Sequence, residues 1–209
     1  MCSLSRSVVV ILLATGIVAP IAAQSPRTSA RVRTLMARMP IEHQVAQLVM
    51  PWLLGNYAGH DSDELADARM WVDSLRVGGI IISIGSPLDV AGKLNFLQRR
   101  SRLPLLIAAD LEGGAAFRFP GATPFPTNMG VAATGRESDA HLMGKVTGLE
   151  ARAVGVHLTF SPVADINDNP ANPIINTRSF GGDPATVARL VAATVAGTRE
   201  SGVLSTVKH

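Results

Sequence analysis

Two carboxylates, a glycine pair and an arginine follow an apolar run near the middle of the chain. The run covers residues 105–109; Asp110 and Glu112 come next, then glycines at 113–114, and Arg118 ends the segment. A short apolar run is typical of a buried strand, and the loops after such strands carry the functional residues of β/α folds. Because the glycines permit a sharp turn, we expect Asp110 and Arg118 to face one cavity. A solvated surface turn is the alternative.

Three further polar groups follow the later predicted strands. They are Asp165 with Asn167, Arg178, and the pair Lys208 and His209. Each group has an ordinary structural alternative: turn formation, an ion pair that holds a loop, and a solvated chain segment, respectively. Since the carboxyl ends of parallel strands lie on one rim of a sheet, we expect all three groups near Asp110 and Arg118.

Such a pocket would offer many hydrogen-bond donors and an acceptor carboxylate. The candidate binding residues are Asp110, Arg118, Arg178, Lys208 and His209. Sugars are recognised through groups of this kind, because a polar group left unpaired in a buried site costs about 1–3 kcal/mol. A phosphate or a carboxylate could also satisfy the cations. The histidines are scattered without metal-ligand spacing, so we predict neither a metal nor a cofactor.

Strand and helix patterns alternate along the chain and position these loops. The predicted strands are 48–54, 80–84, 105–109, 156–161 and 203–207. The predicted helices are 32–47 with a break at Pro40, 62–76, one that begins after Ser86, 137–154 with Leu142 and Leu149 at helical spacing, and one between Asp183 and Gly202. Alternation of this kind predicts a parallel sheet covered by helices.

We therefore predict an α/β fold, a partial (β/α)8 TIM-type barrel of roughly five βα units, against the eight of a closed barrel. An open doubly wound sheet is the alternative. No strand-to-helix turn carries GxGxxG or GxxxxGK[ST], which argues against a phosphate-binding fold. Residues 119–133, rich in Pro, Gly and Thr, are predicted to form a long loop beside the site.

Composition and the N-terminus limit the possible classes of protein. The chain has 209 residues, 47% apolar and 17% charged, and a formal net charge of +3, which suits one globular domain. Aromatic residues make up 4% and no Lys/Arg run is interleaved with them, so we expect no nucleic-acid partner. We predict a signal peptide at 1–23, a linker at 24–31 and one domain at 32–209.

The predicted signal peptide implies export to the periplasm or the extracellular space. Its apolar part, residues 7–21, is interrupted by Gly16 and Pro20 and is shorter than the roughly 20 residues that a spanning helix needs. We expect no stable membrane anchor after cleavage. Cys2 is the only cysteine and lies in this segment, so the mature domain would contain no disulfide. The oligomeric state is left open.

Taken together, the motifs resemble the N-terminal barrel of family 3 glycoside hydrolases, most closely the β-N-acetylhexosaminidase branch. The matching segments are 110–114, Phe125-Pro126, 161–165, 178–181 and Lys208-His209, with the early helix at 39–48. The likeness covers the chain from about residue 32 to its end.

The resemblance implies a retaining β-glycosidase that acts on a β-linked glycoside or amino-sugar oligosaccharide through a covalent intermediate. It implies that Asp110 holds sugar hydroxyls in the −1 subsite, with Arg118, Arg178, Lys208 and His209 as companions. Glu112 is expected to hold its own loop.

The sequence departs from the family pattern in two places. Ala115 stands where the family often has Arg. The Phe-Pro-Gly-His-Gly continuation of the Lys-His motif, which brings the acid/base histidine, and the later nucleophilic Asp are not in this sequence. We therefore expect binding residues without catalytic groups. The alternatives are a β-glucosidase of the same family, a non-catalytic exported sugar-binding module, and a barrel enzyme for phosphorylated substrates.

Overall fold

The computed structural model describes residues 29–169 and 171–209. The predicted signal peptide at 1–23 and the first part of the linker lie outside this range. The chain divides into two units, Met1–Arg38 and Met39–His209. In the described part of the first unit, helix α1 (Ala30–Ala37) is capped by Ser29, whose side chain accepts a hydrogen bond from Val32 N. The sheet and the candidate site belong to the second unit.

The second unit is built on a parallel sheet of five strands in the order of the chain. The strands are β1 (Trp52–Leu54), β2 (Gly79–Ser83), β3 (Leu106–Ala109), β4 (Leu158–Thr159) and β5 (Leu204–Ser205). The five predicted strands and their parallel order are confirmed, but most are shorter than the apolar runs; Leu48 and Val49 of the first run and Val207 of the last are exposed and lie outside the paired residues. Thr159 pairs with Ala109 on one side and with Ser205 on the other. The carboxyl ends of the last three strands therefore lie side by side.

In the described residues of this unit, six α-helices precede or separate the strands, with α5 and α6 both between β3 and β4. They are α2 (Ile41–Ala46), α3 (Asp63–Met70), α4 (Pro87–Arg100), α5 (Asn128–Ala132), α6 (Glu137–Ala153) and α7 (Pro184–Glu200). Ser62, Ser86 and Asp183 are the N-caps of α3, α4 and α7: their side chains accept hydrogen bonds from backbone N–H groups in the first turns. The predicted loop at 119–133 contains the short helix α5, which its sequence did not indicate.

The centre of the sheet is buried. Ile80, Ile82 and Ile107 have no exposed surface, and they pack with apolar residues of α3 and α4 in one cluster. A second apolar cluster joins α5, α6 and α7 around Met143 and Leu190. Burial of this kind contributes roughly 25 cal/mol per Å² of apolar surface, so the two clusters are the main stabilisation of the scaffold.

The buried face of α6 is not the one with Leu142 and Leu149. These leucines are exposed, whereas Met143 and Gly144 are buried. A Cβ atom at Gly144 would lie 2.2 Å from the carbonyl oxygen of Thr194 in α7. The two helices therefore meet backbone to backbone at small residues, and the large leucines cannot occupy that face.

Both edge strands of the sheet expose apolar side chains. Trp52 in β1 is 54% exposed and Leu204 in β5 is 61% exposed. Within the described residues, β1 and β5 each pair with a single neighbour. The sheet is thus open at both edges. No helix in the described part of the chain is long and apolar enough to cross a membrane.

Candidate functional site

The loop after β3 and the segment after β5 meet at one carboxylate. Asp110 directly follows β3; its Oδ1 accepts a hydrogen bond from Lys208 Nζ at 2.6 Å, and its Oδ2 accepts one from Arg118 Nη2 at 3.1 Å. Both oxygens are therefore occupied by cations, one from the same loop and one from the far end of the chain. The arrangement fixes the carboxylate on the rim that the strand order predicts.

Glu112 is the most deeply buried carboxylate of this group, with 7% of its surface exposed. Arg178 donates to it through Nε and Nη2, both at 2.8 Å, which is a bidentate ion pair. Lys208 Nζ lies 2.5 Å from its Oε1. Beyond the expected role within its own loop, Glu112 joins the loop after β3 to the segments that carry Arg178 and Lys208.

The electrostatics of Glu112 follow from these contacts. Burial disfavours its charge and would raise its pKa, but hydrogen bonds from Arg178 and Lys208, together with their positive charges, lower the pKa to about 2. The carboxyl is therefore ionised across the ordinary pH range. It acts as a fixed negative anchor between two cations.

Asp165 and His209 form a third contact at the same rim. Asp165 Oδ2 lies 2.7 Å from His209 Nδ1 and also accepts the backbone N–H of His209 at 3.2 Å. His209 Nε2 lies 3.3 Å from Arg178 Nη2. Arg178 has only protons to donate, so the tautomer with its proton on Nδ1 satisfies both ring contacts. Burial opposes the charge of Asp165, but the hydrogen bonds from His209 lower its pKa.

Backbone and side-chain bonds hold these loops in register. Val163 and Lys208 form an isolated parallel bridge, in which Ala164 N donates to Lys208 O at 2.7 Å. The Arg178 loop is held by Asn128 in α5, whose Nδ2 donates to Arg178 O at 2.7 Å, and by Ser179 Oγ, which donates to Asp165 O at 2.5 Å. The cations are therefore positioned by the fold as well as by their charges.

The structure brings all the predicted binding residues into one connected network, which we call the charged cluster. Its members are Asp110, Glu112, Arg118, Asp165, Arg178, Lys208 and His209. Asp165 was expected on this rim because it follows a predicted strand, with turn formation as the alternative, but it was not among the candidate binding residues; it joins the cluster through His209. Asn167 does not join the cluster; its backbone N–H donates to Gly181 O at 2.9 Å.

The charged cluster is suited to binding a polar ligand rather than to attacking one. Asp110 and Glu112 pair with Lys and Arg side chains and Asp165 pairs with His209, so each carboxylate of the cluster is already engaged within it. Hydroxyl groups that replace or share these contacts would find donors and acceptors already oriented. Across residues 29–169 and 171–209, no group of three or more His, Cys, Asp or Glu side chains is arranged to hold a metal ion.

Comparisons with known proteins identify one family. Residues 40–209 match the Glycosyl hydrolase family 3 N terminal domain. The chain is 38% identical over 178 residues to a beta-N-acetylglucosaminidase/beta-glucosidase of Cellulomonas fimi, which covers 85% of this chain and 30% of that protein.

Solved structures agree in fold and in sequence. A glycoside hydrolase family 3 beta-N-acetylglucosaminidase from Paenibacillus sp. str. FPU-7 superposes with a TM-score of 0.71 at 37% identity, covering 82% of this chain and 33% of that one. A beta-glucoside phosphorylase, BglX, bound to 2FGlc, superposes with a TM-score of 0.77 at 31% identity, covering 86% and 31%. The chain thus spans about a third of the length of these relatives.

Proposed function

Because this chain belongs to glycosyl hydrolase family 3, we propose that it forms the sugar-binding part of a retaining β-glycosidase, with a β-linked N-acetylhexosaminide as the preferred substrate. The observation that carries the proposal is the contact of Asp110 with both Lys208 and Arg118. These contacts place an acceptor and two donors together on the rim of the sheet. A sugar with several hydroxyl groups needs such a mixture.

In this proposal Asp110 accepts hydrogen bonds from sugar hydroxyls, and Arg118, Arg178, Lys208 and His209 hold the ring from the sides. Donors that are fixed before the ligand arrives need no reorganisation as positive charge develops on the ring. Glu112 and Asp165 position these side chains rather than contact the sugar. The ion pair of Glu112 with Arg178 and the contact of Asp165 with His209 support this division of roles.

We propose that the general acid/base and the nucleophile lie outside the charged cluster. A retaining glycosidase needs a second carboxylate that attacks the sugar. Asp110 and Glu112 are engaged with Lys and Arg side chains and Asp165 with His209, and the pKa of Glu112 near 2 makes it unsuitable as a proton donor. The chain by itself is therefore expected to bind sugars without hydrolysing them.

We also propose that the sheet is part of a (β/α)8 barrel. Its five parallel strands follow the order of the chain, as barrel strands do, and helices connect them. The exposed apolar side chains Trp52 and Leu204 at the two edges are consistent with further strands that would cover them. From the sequence of residues 1–23 we also propose that the protein is exported. A mature N-terminus near Gln24 would support this proposal.

Two other functions share the same site. The name of the Cellulomonas fimi relative includes beta-glucosidase, so a glucoside is the second candidate substrate. A non-catalytic sugar-binding module would need the charged cluster and nothing more. Both alternatives predict binding of the sugar ring. The β-glucosidase would lack the preference for an N-acetyl group, and the binding module would lack hydrolytic activity in the full protein.

The test is a titration of the chain with N-acetylglucosamine and with glucose, followed by nuclear magnetic resonance, beside an assay with an aryl β-N-acetylglucosaminide. We expect saturable binding with no turnover. Hydrolysis by this chain would contradict the placement of the catalytic groups. Binding of inorganic phosphate with no affinity for either sugar would contradict the carbohydrate assignment.

A further inference from the structure

Helix α6 has a second apolar side, opposite to its buried face, which we call the outer stripe. Its members recur at steps of four, three and four residues: Leu142, Val146, Leu149 and Ala153. Leu142 is 52% exposed and Leu149 is 55% exposed. None of the four belongs to either apolar cluster of the described residues. The outer stripe is therefore an apolar surface that the scaffold does not use.

The spacing of the outer stripe is that of a two-stranded coiled coil. Steps of four and three residues place both leucines at d positions of a heptad, with Val146 at an a position between them. A β-branched residue at a, combined with leucine at d, favours a parallel pair of helices over larger assemblies. The composition of the stripe thus fits a second copy of the same helix.

The charges beside the outer stripe fit the same arrangement. Lys145 occupies a g position, and Glu150 occupies the e position five residues later, on the opposite flank of the stripe. In a parallel pair, each g residue faces the e residue of the other helix, so Lys145 meets Glu150 twice by symmetry. In an antiparallel pair, like charges would meet on both flanks. The charges therefore favour the parallel pair.

Both charged side chains are accessible to such a contact. Glu150 is anchored by Thr123, whose backbone N–H and hydroxyl donate to its Oε1 at 2.9 and 2.7 Å, which fixes the position of the negative charge. Lys145 is 48% exposed, and its Nζ lies 3.3 Å from Glu200 Oε2. Because exposed ion pairs contribute little, Lys145 can turn to a second acceptor at small cost.

Helix α6 is already formed before any partner arrives. A free helix of its length, 17 residues, is only marginally stable in water. Here the backbone is held against α7, since a Cβ atom at Gly197 of α7 would lie 2.1 Å from His141 O. Association therefore requires no ordering of the helix, and a stripe of two heptads is sufficient for a weak pair.

We propose that α6 is the contact surface between two copies of this chain, which pair in parallel about a two-fold axis that runs along the helix. The outer stripe of each copy packs against that of the other, and Lys145 contacts Glu150 of the partner subunit. Because α6 leads from the rim after β3 back to the start of β4, parallel pairing turns the rims of both copies to the same side. The inference goes beyond the proposed function and does not depend on it.

The test is sedimentation velocity of the chain at concentrations up to about 1 mM, because interfaces below about 1,200 Å² are usually transient. We expect a monomer–dimer equilibrium. Leu149→Gln should weaken the dimer about tenfold or more, since two-fold symmetry removes the leucine from both sides of the contact. The matched control is Leu75→Gln, because Leu75 is 49% exposed and lies in the turn after α3. It should change the dimerisation constant less than about twofold.

An exchange of charges tests the parallel arrangement. Lys145→Glu should weaken the dimer about threefold or more, because it places two acids opposite each other. The double variant Lys145→Glu/Glu150→Lys should restore the dimer, because opposite charges meet again. Thermal unfolding identifies any variant that fails to fold, and Leu142→Gln then takes the place of Leu149→Gln.

A chain that stays monomeric at every concentration would overturn the proposal, and so would a dimer that Leu149→Gln leaves intact. Association that Leu204→Gln abolishes and Leu149→Gln does not would assign the contact to the open edge of the sheet instead. A folded double variant that stays as weak as Lys145→Glu would overturn the parallel pairing.

Discussion

The ammonium group of Lys208 lies 2.6 Å from Asp110 Oδ1, across 98 residues of sequence. The same ammonium contacts Glu112. One ammonium group therefore bridges both acids of the loop after β3. The two carboxylates differ in burial, because the side chain of Asp110 is 30% exposed at the rim and that of Glu112 only 7%.

Asp110→Asn should weaken sugar binding about 10- to 100-fold. Hydrogen bonds to a charged acceptor contribute about 1.5–3 kcal/mol, and the amide replaces one acceptor oxygen with a donor that faces Lys208 or Arg118. The affinity for N-acetylglucosamine, measured by titration, checks this expectation. Asp61→Asn is the matched control, since Asp61 is fully exposed in the loop after β1. Unchanged affinity in Asp110→Asn would remove Asp110 from the binding site.

Glu112→Gln should lower the free energy of unfolding by about 3 kcal/mol, because it leaves Arg178 and Lys208 without their shared counter-charge in a largely buried place. Urea unfolding at neutral pH measures the change. The matched control is Glu42→Gln on the exposed face of α2, which should stay within about 0.5 kcal/mol of the parent chain. Equal effects in the two variants would mean that the ion pairs at Glu112 are not stabilising.

Stability should fall in acid because of the same carboxylate. The pKa of Glu112 is about 2 in the folded chain against an ordinary value of 4.5, so its contribution is complete above pH 4.5 and is lost as the pH falls towards 2. A shift of this size corresponds to about 3 kcal/mol. Urea unfolding between pH 2.5 and 7 should show the loss in the parent chain and a smaller loss in Glu112→Gln. Parallel curves would contradict the depressed pKa.

The two neighbouring glycines should respond differently to alanine. Gly114 has φ +95°, and a Cβ there would lie 2.8 Å from Phe125, so Gly114→Ala should lower the free energy of unfolding by about 2 kcal/mol. Gly113→Ala is the internal control, since its Cβ meets nothing closer than 3.8 Å. Thermal unfolding of both variants measures the difference. Similar values for the two would contradict the left-handed turn at Gly114.

Much of the fold could be predicted because its signals are local. Ser86 before Pro87 and Asp183 before Pro184 announce helix starts through hydrogen bonds within three residues. The apolar runs predict the strands, and parallel order then brings Asp110, Arg178 and Lys208 to one rim. Residue types and strand order were sufficient for that part of the site.

What could not be predicted depends on distant partners. The buried face of α6 is set by Gly144 against Thr194, a contact that hydrophobic spacing does not report. Helix α5 has no apolar period of its own, and Asn128 ties it to the Arg178 loop. The role of Glu112 as a link between loops required the position of Lys208, which no local pattern contains.

The distance along the chain between Asp110 and Lys208 has a consequence for the order of folding. Contacts between residues so far apart in sequence form late, because the intervening segment must first lose its freedom. The acidic loop after β3 can be present long before its cation arrives. Sugar affinity should therefore report the arrival of β5, and a ribosome-bound nascent chain would acquire it only once Lys208 had emerged.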